Sequence, residues 1–179
     1  VILDYLENRN QEVRDVVAQL LLVHRKGRIT LTTSVFNVAE LIDKEFEIHF
    51  IGWCLNERMS YDETMSRLRG DEKLFREIAE RNRKGIEEKV RDFLSKNEIV
   101  VLSLSSEELQ QNLYDLIYRY QLRSQDALMV ATALANKVTY FLSNDSNLIG
   151  KIGGVIPYAY NLRDEGLRRA FHNNVIEAV

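Results

Sequence analysis

The sequence predicts an α/β fold, a parallel β-sheet flanked by helices, from three observations. Short apolar or β-branched runs alternate with longer stretches whose apolar residues recur at helical spacing, the pattern of β-α units. Ile99-Val100-Val101-Leu102 is a near-continuous apolar run, the mark of a strand covered on both faces. One proline and eight glycines in 179 residues favour helix and leave little irregular loop. A chain of this length suits one buried domain spanning residues 1–179. Within it, residues 43–94 are expected to form a helical insertion.

In chain order, Gln11 to Lys26 reads as a helix with Val13, Val16, Val17, Leu20, Leu21 and His24 at helical spacing, closed by Gly27. Ile29 to Thr32 is a short strand that runs into Thr33-Ser34, a helix start. The helix after it is expected to bury Val35, Val38, Ala39, Ile42 and Phe46, with Glu40 beside that stripe. Ser60-Tyr61-Asp62-Glu63 matches a capping box, Gly70 separates two helices, and Phe75 to Phe93 carries one apolar edge. The mixed charges of this hairpin form a solvated face. After the Ile99 strand, a capping box at Ser105 opens a helix whose inner face is read as Leu109, Leu113, Leu116, Ile117 and Tyr120. Asp126 then sits at the start of a helix running to about Asn136, with Ala127, Leu128, Ala131, Leu134 and Ala135 as its stripe. Val138 to Leu142 is a strand ending in Ser143-Asn144-Asp145, Val155-Ile156 a last strand closed by Pro157, and the tail from Asn161 one short helix.

Bulk properties narrow the function. Hydrophobic content of 45% with 28% charged residues describes a globular protein, and no apolar run approaches the roughly 20 residues of a membrane span. No secretory pattern opens the chain, and its single cysteine, Cys54, allows neither an internal disulfide nor a zinc site built on several thiolates. A cytoplasmic location is therefore expected. A net charge of −3 leaves no basic imprint of nucleic-acid binding, but a carboxylate-rich metal site would itself add negative charge.

Three acids share one positional logic. Glu40 lies early in the helix after one strand, Asp126 at a helix start, and Asp145 just past a strand end, where open α/β sheets place ligand sites. Taken singly, Asp126 reads as a dipole partner and Asp145 as a turn former. Several carboxylates on one rim do not all ionise without cations, and their oxygens suit Mg²⁺ or Mn²⁺. Phosphodiester hydrolysis is the reaction such sites serve.

In T-T-S-V-F-N-V-A-E-L-I around Glu40, S-Q-D-A-L-M-V-A-T-A-L around Asp126 and F-L-S-N-D-S-N-L around Asp145, the chain resembles the PIN-domain nucleases, which include VapC-type toxins. The order and spacing of these pieces carry the resemblance, which covers all but the helical insertion. It implies an endoribonuclease dependent on Mg²⁺ or Mn²⁺, RNA as substrate and a homodimer. It also implies Glu40, Asp126 and Asp145 as metal-binding acids, with the Ser143 hydroxyl supporting the site. Acting as a toxin, such a protein would take a small antitoxin over its acidic rim. The family's first strand ends in an acid, as in D-T-N, and here two readings stand. In one, Val1 to Leu6 is the helix that follows that strand, and the strand and its acid are missing. In the other, Val1 to Leu3 is the strand and Asp4 is a metal-binding acid. The rival to catalysis is a binding scaffold on the same fold. His24, His49 and His172 lack ligand spacing, and Cys54 reads as a packed thiol.

Overall fold

The computed structural model describes residues 1–178, apart from the side chains of residues 109–111. The expected inner-face position of Leu109 thus lies outside the described residues. The elements run α1 (Ile2–Leu6), α2 (Gln11–Arg25), β1 (Thr32–Ser34), α3 (Val35–Asn56), α4 (Tyr61–Gly70), α5 (Glu72–Lys96), β2 (Val100–Leu102), α6 (Ser106–Tyr118), α7 (Ser124–Ala135), β3 (Phe141–Ser143), α8 (Ser146–Ile152), β4 (Ala159–Asn161) and α9 (Glu165–Phe171), with a closing π-type turn, His172–Ile176. The fold is α/β with parallel strand pairing. Two compact units divide the chain: Val1–Asn37 with Ile99–Val179, and Val38–Glu98. The second encloses the expected insertion, residues 43–94.

In the first unit the strands form two parallel pairs, β1 with β2 and β3 with β4, in place of the single sheet read from the sequence. Alternation along β3 and β4 splits their side chains between two cores. Phe141 and Ala159 pack with Ala127, Val130 and Ala131 of α7 and Leu148 and Ile152 of α8. Leu142 and Tyr160 pack with Val13, Val17 and Leu21 of α2 and Phe171 of α9. Helix α2 forms where its stripe predicts, capped by the Asn10 side chain, which accepts from the Val13 N–H at 3.0 Å. Helix α7 is buried on more sides than its stripe predicts, Ala127 and Met129 through Ala133 all being enclosed. Small residues there let neighbouring elements approach from several directions.

Several expectations change. The strand read at Ile29–Thr32 is Thr32–Ser34, and the one read at Val138–Leu142 is Phe141–Ser143. Val155 and Ile156 are not a strand. Both N–H groups donate to the Ile152 carbonyl at 2.8 Å, which makes them the turn after α8, and the last strand follows Pro157 as Ala159–Asn161. Strand β2 is not covered on both faces, since Val100 and Val101 are 47% and 45% exposed. A pair of three-residue strands is too narrow a platform for helices to cover throughout. Ile117, expected inside, faces out. At the N-terminus Val1 to Leu3 is not a strand, because Ile2–Leu6 is helical.

The second unit is helical. Ser60 and Glu63 form the expected capping box of α4, which ends at Gly70, and Asp71 caps α5 by accepting from the Leu74 N–H at 3.0 Å. Phe50, Cys54 and Ile78 make its core. The buried residues of α3 are Leu41, Glu45, Phe50 and Cys54, whereas Val35 and Ala39 of the expected stripe are exposed. The helix is rotated from its most apolar stripe because Glu45, fully enclosed, is paired by Lys89 of α5 at 2.8 Å. Among the described residues no helix is long and apolar enough to cross a membrane.

Candidate functional site

Two helix starts in the first unit carry the candidate acids. Arg123, extended (φ −67, ψ 155), precedes α7 without giving it a side-chain cap, and Asp126 falls in the first turn beside the free backbone N–H groups. Asp145 follows β3 and caps α8. Its Oδ1 accepts from the N–H of Asn147 at 2.9 Å and of Leu148 at 3.1 Å. The Ser143 hydroxyl accepts from the Asp145 N–H at 3.1 Å, which fixes the turn from two residues upstream. Asp145 Oδ2 makes no hydrogen bond among the described residues, and the side chain is exposed.

The two acids feel each other. Burial pushes the Asp126 carboxyl above its ordinary range, and the Asp145 carboxylate pushes it the same way. Arg123 and Lys151 pull it back. Lys151 Nζ also donates to the Gln121 carbonyl at 2.7 Å, tying α8 to the loop ahead of α7. The result is a like-charge pair flanked by two cations. The sequence reading overlooked both cations, although Arg123 stands one helical turn before Asp126.

Asp4 has a different setting. It is 4% exposed, and both its oxygens are engaged: Oδ1 accepts from Arg163 Nη2 at 2.8 Å and Oδ2 from Asn144 Nδ2. Since Asn144 adjoins Asp145, this buried carboxylate anchors the turn that carries the candidate acid. The far side of the turn is held by Asn161, whose Nδ2 donates to Ser146 Oγ at 2.7 Å. No local pattern announces Asn144 or Arg163 as partners of Asp4. Glu40 belongs to the other unit, on α3, where its side chain is half-buried and makes no hydrogen bond or ion pair among the described residues. The pair that the structure brings together is Asp126 and Asp145.

A hard divalent cation is compatible with this pair. It would relieve the repulsion that raises Asp126, and Mg²⁺ commonly takes one or two carboxylates while keeping water and substrate phosphate as further ligands. Among the described residues no group of three or more His, Cys, Asp or Glu side chains is placed to hold a metal ion. Asp4 is buried and already charge-compensated by Arg163, with Asn144 on its second oxygen. Compared with known proteins, the chain matches no protein-family model, no curated protein and no solved structure.

Proposed function

We propose that this chain is a metal-dependent endoribonuclease of the PIN type, cutting RNA phosphodiester bonds at the rim where α7 and α8 begin. The observation that carries the reading is the Asp126–Asp145 like-charge pair, with the Asp126 carboxyl raised and the two acids flanked by Arg123 and Lys151. The Asp145 charge that helps to raise the Asp126 carboxyl would be offset by a divalent cation held by the two acids. Asp145, its Oδ1 fixed by the α8 amides, presents Oδ2 outward. Arg123 and Lys151 supply positive charge for a phosphate. Mg²⁺ or Mn²⁺, held by Asp126 and Asp145, would supply Lewis acidity and water activation. Ser143 orders the turn through its hydrogen bond.

A toxin role adds a protein antitoxin covering the rim.

The test is RNA cleavage with Mn²⁺ by the purified protein. Internal cuts should appear and be lost in Asp126→Asn, whose fold is intact by circular dichroism. Cleavage that persists in this variant sinks the assignment. A calorimetric Mn²⁺ titration without a carboxylate-dependent site favours a binding scaffold instead.

A further inference from the structure

Helix α8 is seven residues long, too short to hold a fixed place through its own backbone bonds, so its position depends on what grips it. Leu148, Ile149 and Ile152 share one core with Leu122, just ahead of α7, and with Ala127, Val130 and Ala131 of α7. Apolar contact is non-directional and does not by itself fix how far a short helix sits along its neighbour. Directional bonds at the two ends of α8 do that. At its start, Ser146 Oγ accepts from Asn161 Nδ2 at 2.7 Å. In its last turn, Lys151 Nζ donates to the Gln121 carbonyl at 2.7 Å. Gln121 has φ +51, in the left-handed region that residues with a side chain adopt at a cost. The chain reverses there: Leu122 is buried, and its N–H donates to the Leu116 carbonyl at 3.2 Å, which closes α6 and leads into α7. The carbonyl at this reversal is the one that Lys151 holds.

We propose that Lys151 is a positioning residue: its bond to the Gln121 carbonyl sets α8 against the start of α7, and thereby the separation of Asp126 and Asp145. The inference rests on the reading of these two acids as a cation site. The clasp joins the acid-bearing segments directly, since Gln121 stands five residues ahead of Asp126 and Lys151 six residues past Asp145. Lys151 has two effects of opposite sign on a cation bound by the acids. Its charge, which already acts on Asp126, repels the cation, so removal of that charge alone tightens binding. Its clasp keeps the acids at a spacing one ion can bridge, so removal of the clasp weakens binding. Salt separates the two effects. At about 0.15 M the screening length is about 8 Å, which weakens the charge effect and leaves the contact.

Mn²⁺ calorimetry without RNA, at about 0.15 M salt, tests this on the unmodified chain, Lys151→Met and Lys151→Arg, each checked for fold by circular dichroism. Lys151→Met should bind Mn²⁺ about three- to tenfold more weakly, the range that one lost hydrogen bond allows. Lys151→Arg, which keeps the charge and the N–H donors, should recover most of that loss. Hydrogen exchange supplies a readout free of metal. In Lys151→Met the amides of Leu122 and Ala127, bonded to the Leu116 and Arg123 carbonyls, should exchange about three- to tenfold faster, while Val130 to Ala133 stay as they were. Unchanged or tighter Mn²⁺ binding by Lys151→Met overturns the positioning role, as does a Lys151→Arg variant no better than Lys151→Met. Unaltered exchange at Leu122 and Ala127 overturns the clasp itself. If the unmodified chain takes up no Mn²⁺, the cation reading of the acids falls, and the exchange result alone then decides whether Lys151 holds α8 to α7.

Discussion

Removing the exposed partner of the Asp4–Arg163 pair should destabilise the protein more than removing the buried one. The Asp4 side chain is 5% exposed and that of Arg163 is 52% exposed. In Arg163→Ala the carboxylate stays enclosed with Asn144 as its remaining partner among the described residues. Stranding a buried charge costs about 3–5 kcal/mol, and the remaining Asn144 hydrogen bond places this case near the lower end. In Asp4→Ala the guanidinium, already half in water, becomes fully hydrated. Two hydrogen bonds to a charged group, about 1.5–3 kcal/mol each, are lost, but the desolvation of the carboxylate is relieved at the same time. The net cost is then about 1–2 kcal/mol. For a chain of this size 1 kcal/mol moves the melting temperature by about 2–4 °C. Arg163→Ala should therefore melt roughly 6–12 °C low and Asp4→Ala roughly 2–8 °C low. Thermal and urea unfolding followed by circular dichroism give both numbers. Equal losses, or a larger loss for Asp4→Ala, would refute the assignment of the buried charge as the vulnerable member. Because Asn144 leads directly to Asp145, both variants should also loosen the candidate site, read as weaker Mn²⁺ binding.

The same asymmetry applies in the helical unit, where Glu45 is 1% and Lys89 36% exposed at the side chain and Glu45 Oε1 has no hydrogen-bond partner among the described residues. Glu45→Met should be neutral or stabilising by up to about 2 kcal/mol, while Lys89→Met should cost about 3 kcal/mol; urea midpoints that reverse this order would contradict it. Asp126 makes a prediction about pH. Its carboxyl is raised in the folded chain, so as pH climbs through the ordinary carboxylate range the unfolded chain releases this proton first. Stability from this group is highest below that range, falls until the raised value is passed, and is flat above it. Asp126→Asn should remove that slope and raise stability at neutral pH by about 0.5 kcal/mol, a small figure because the carboxylate is largely screened by solvent. An unchanged pH profile in the variant would contradict the shift. Added Mn²⁺ at about a hundred times its dissociation constant should stabilise the unmodified chain by about 2.7 kcal/mol and leave Asp126→Asn unmoved.

What the sequence determined by itself was everything with a local cause. Helix α2, the capping boxes at Ser60 and Ser105, the break at Gly70 and the start of α7 beside Asp126 follow from contacts within about one helical turn, and such contacts are written in consecutive residues. Tertiary structure decided where the strands lie. Thr32–Ser34 is a strand only because Val100–Leu102 pairs with it, and Val155-Ile156, apolar and β-branched, turns back on Ile152 instead. It also decided which charges go inside. Glu45 is enclosed because Lys89 reaches it from 44 positions away, and Asp4 because Asn144 and Arg163 arrive from 140 and 159 positions away. It placed Asp126 within the field of Asp145, a nearness the sequence suggested only by giving both acids similar positions relative to strands and helices. A helix carries its hydrogen bonds within itself, whereas a strand or a buried charge exists only if a distant residue completes it.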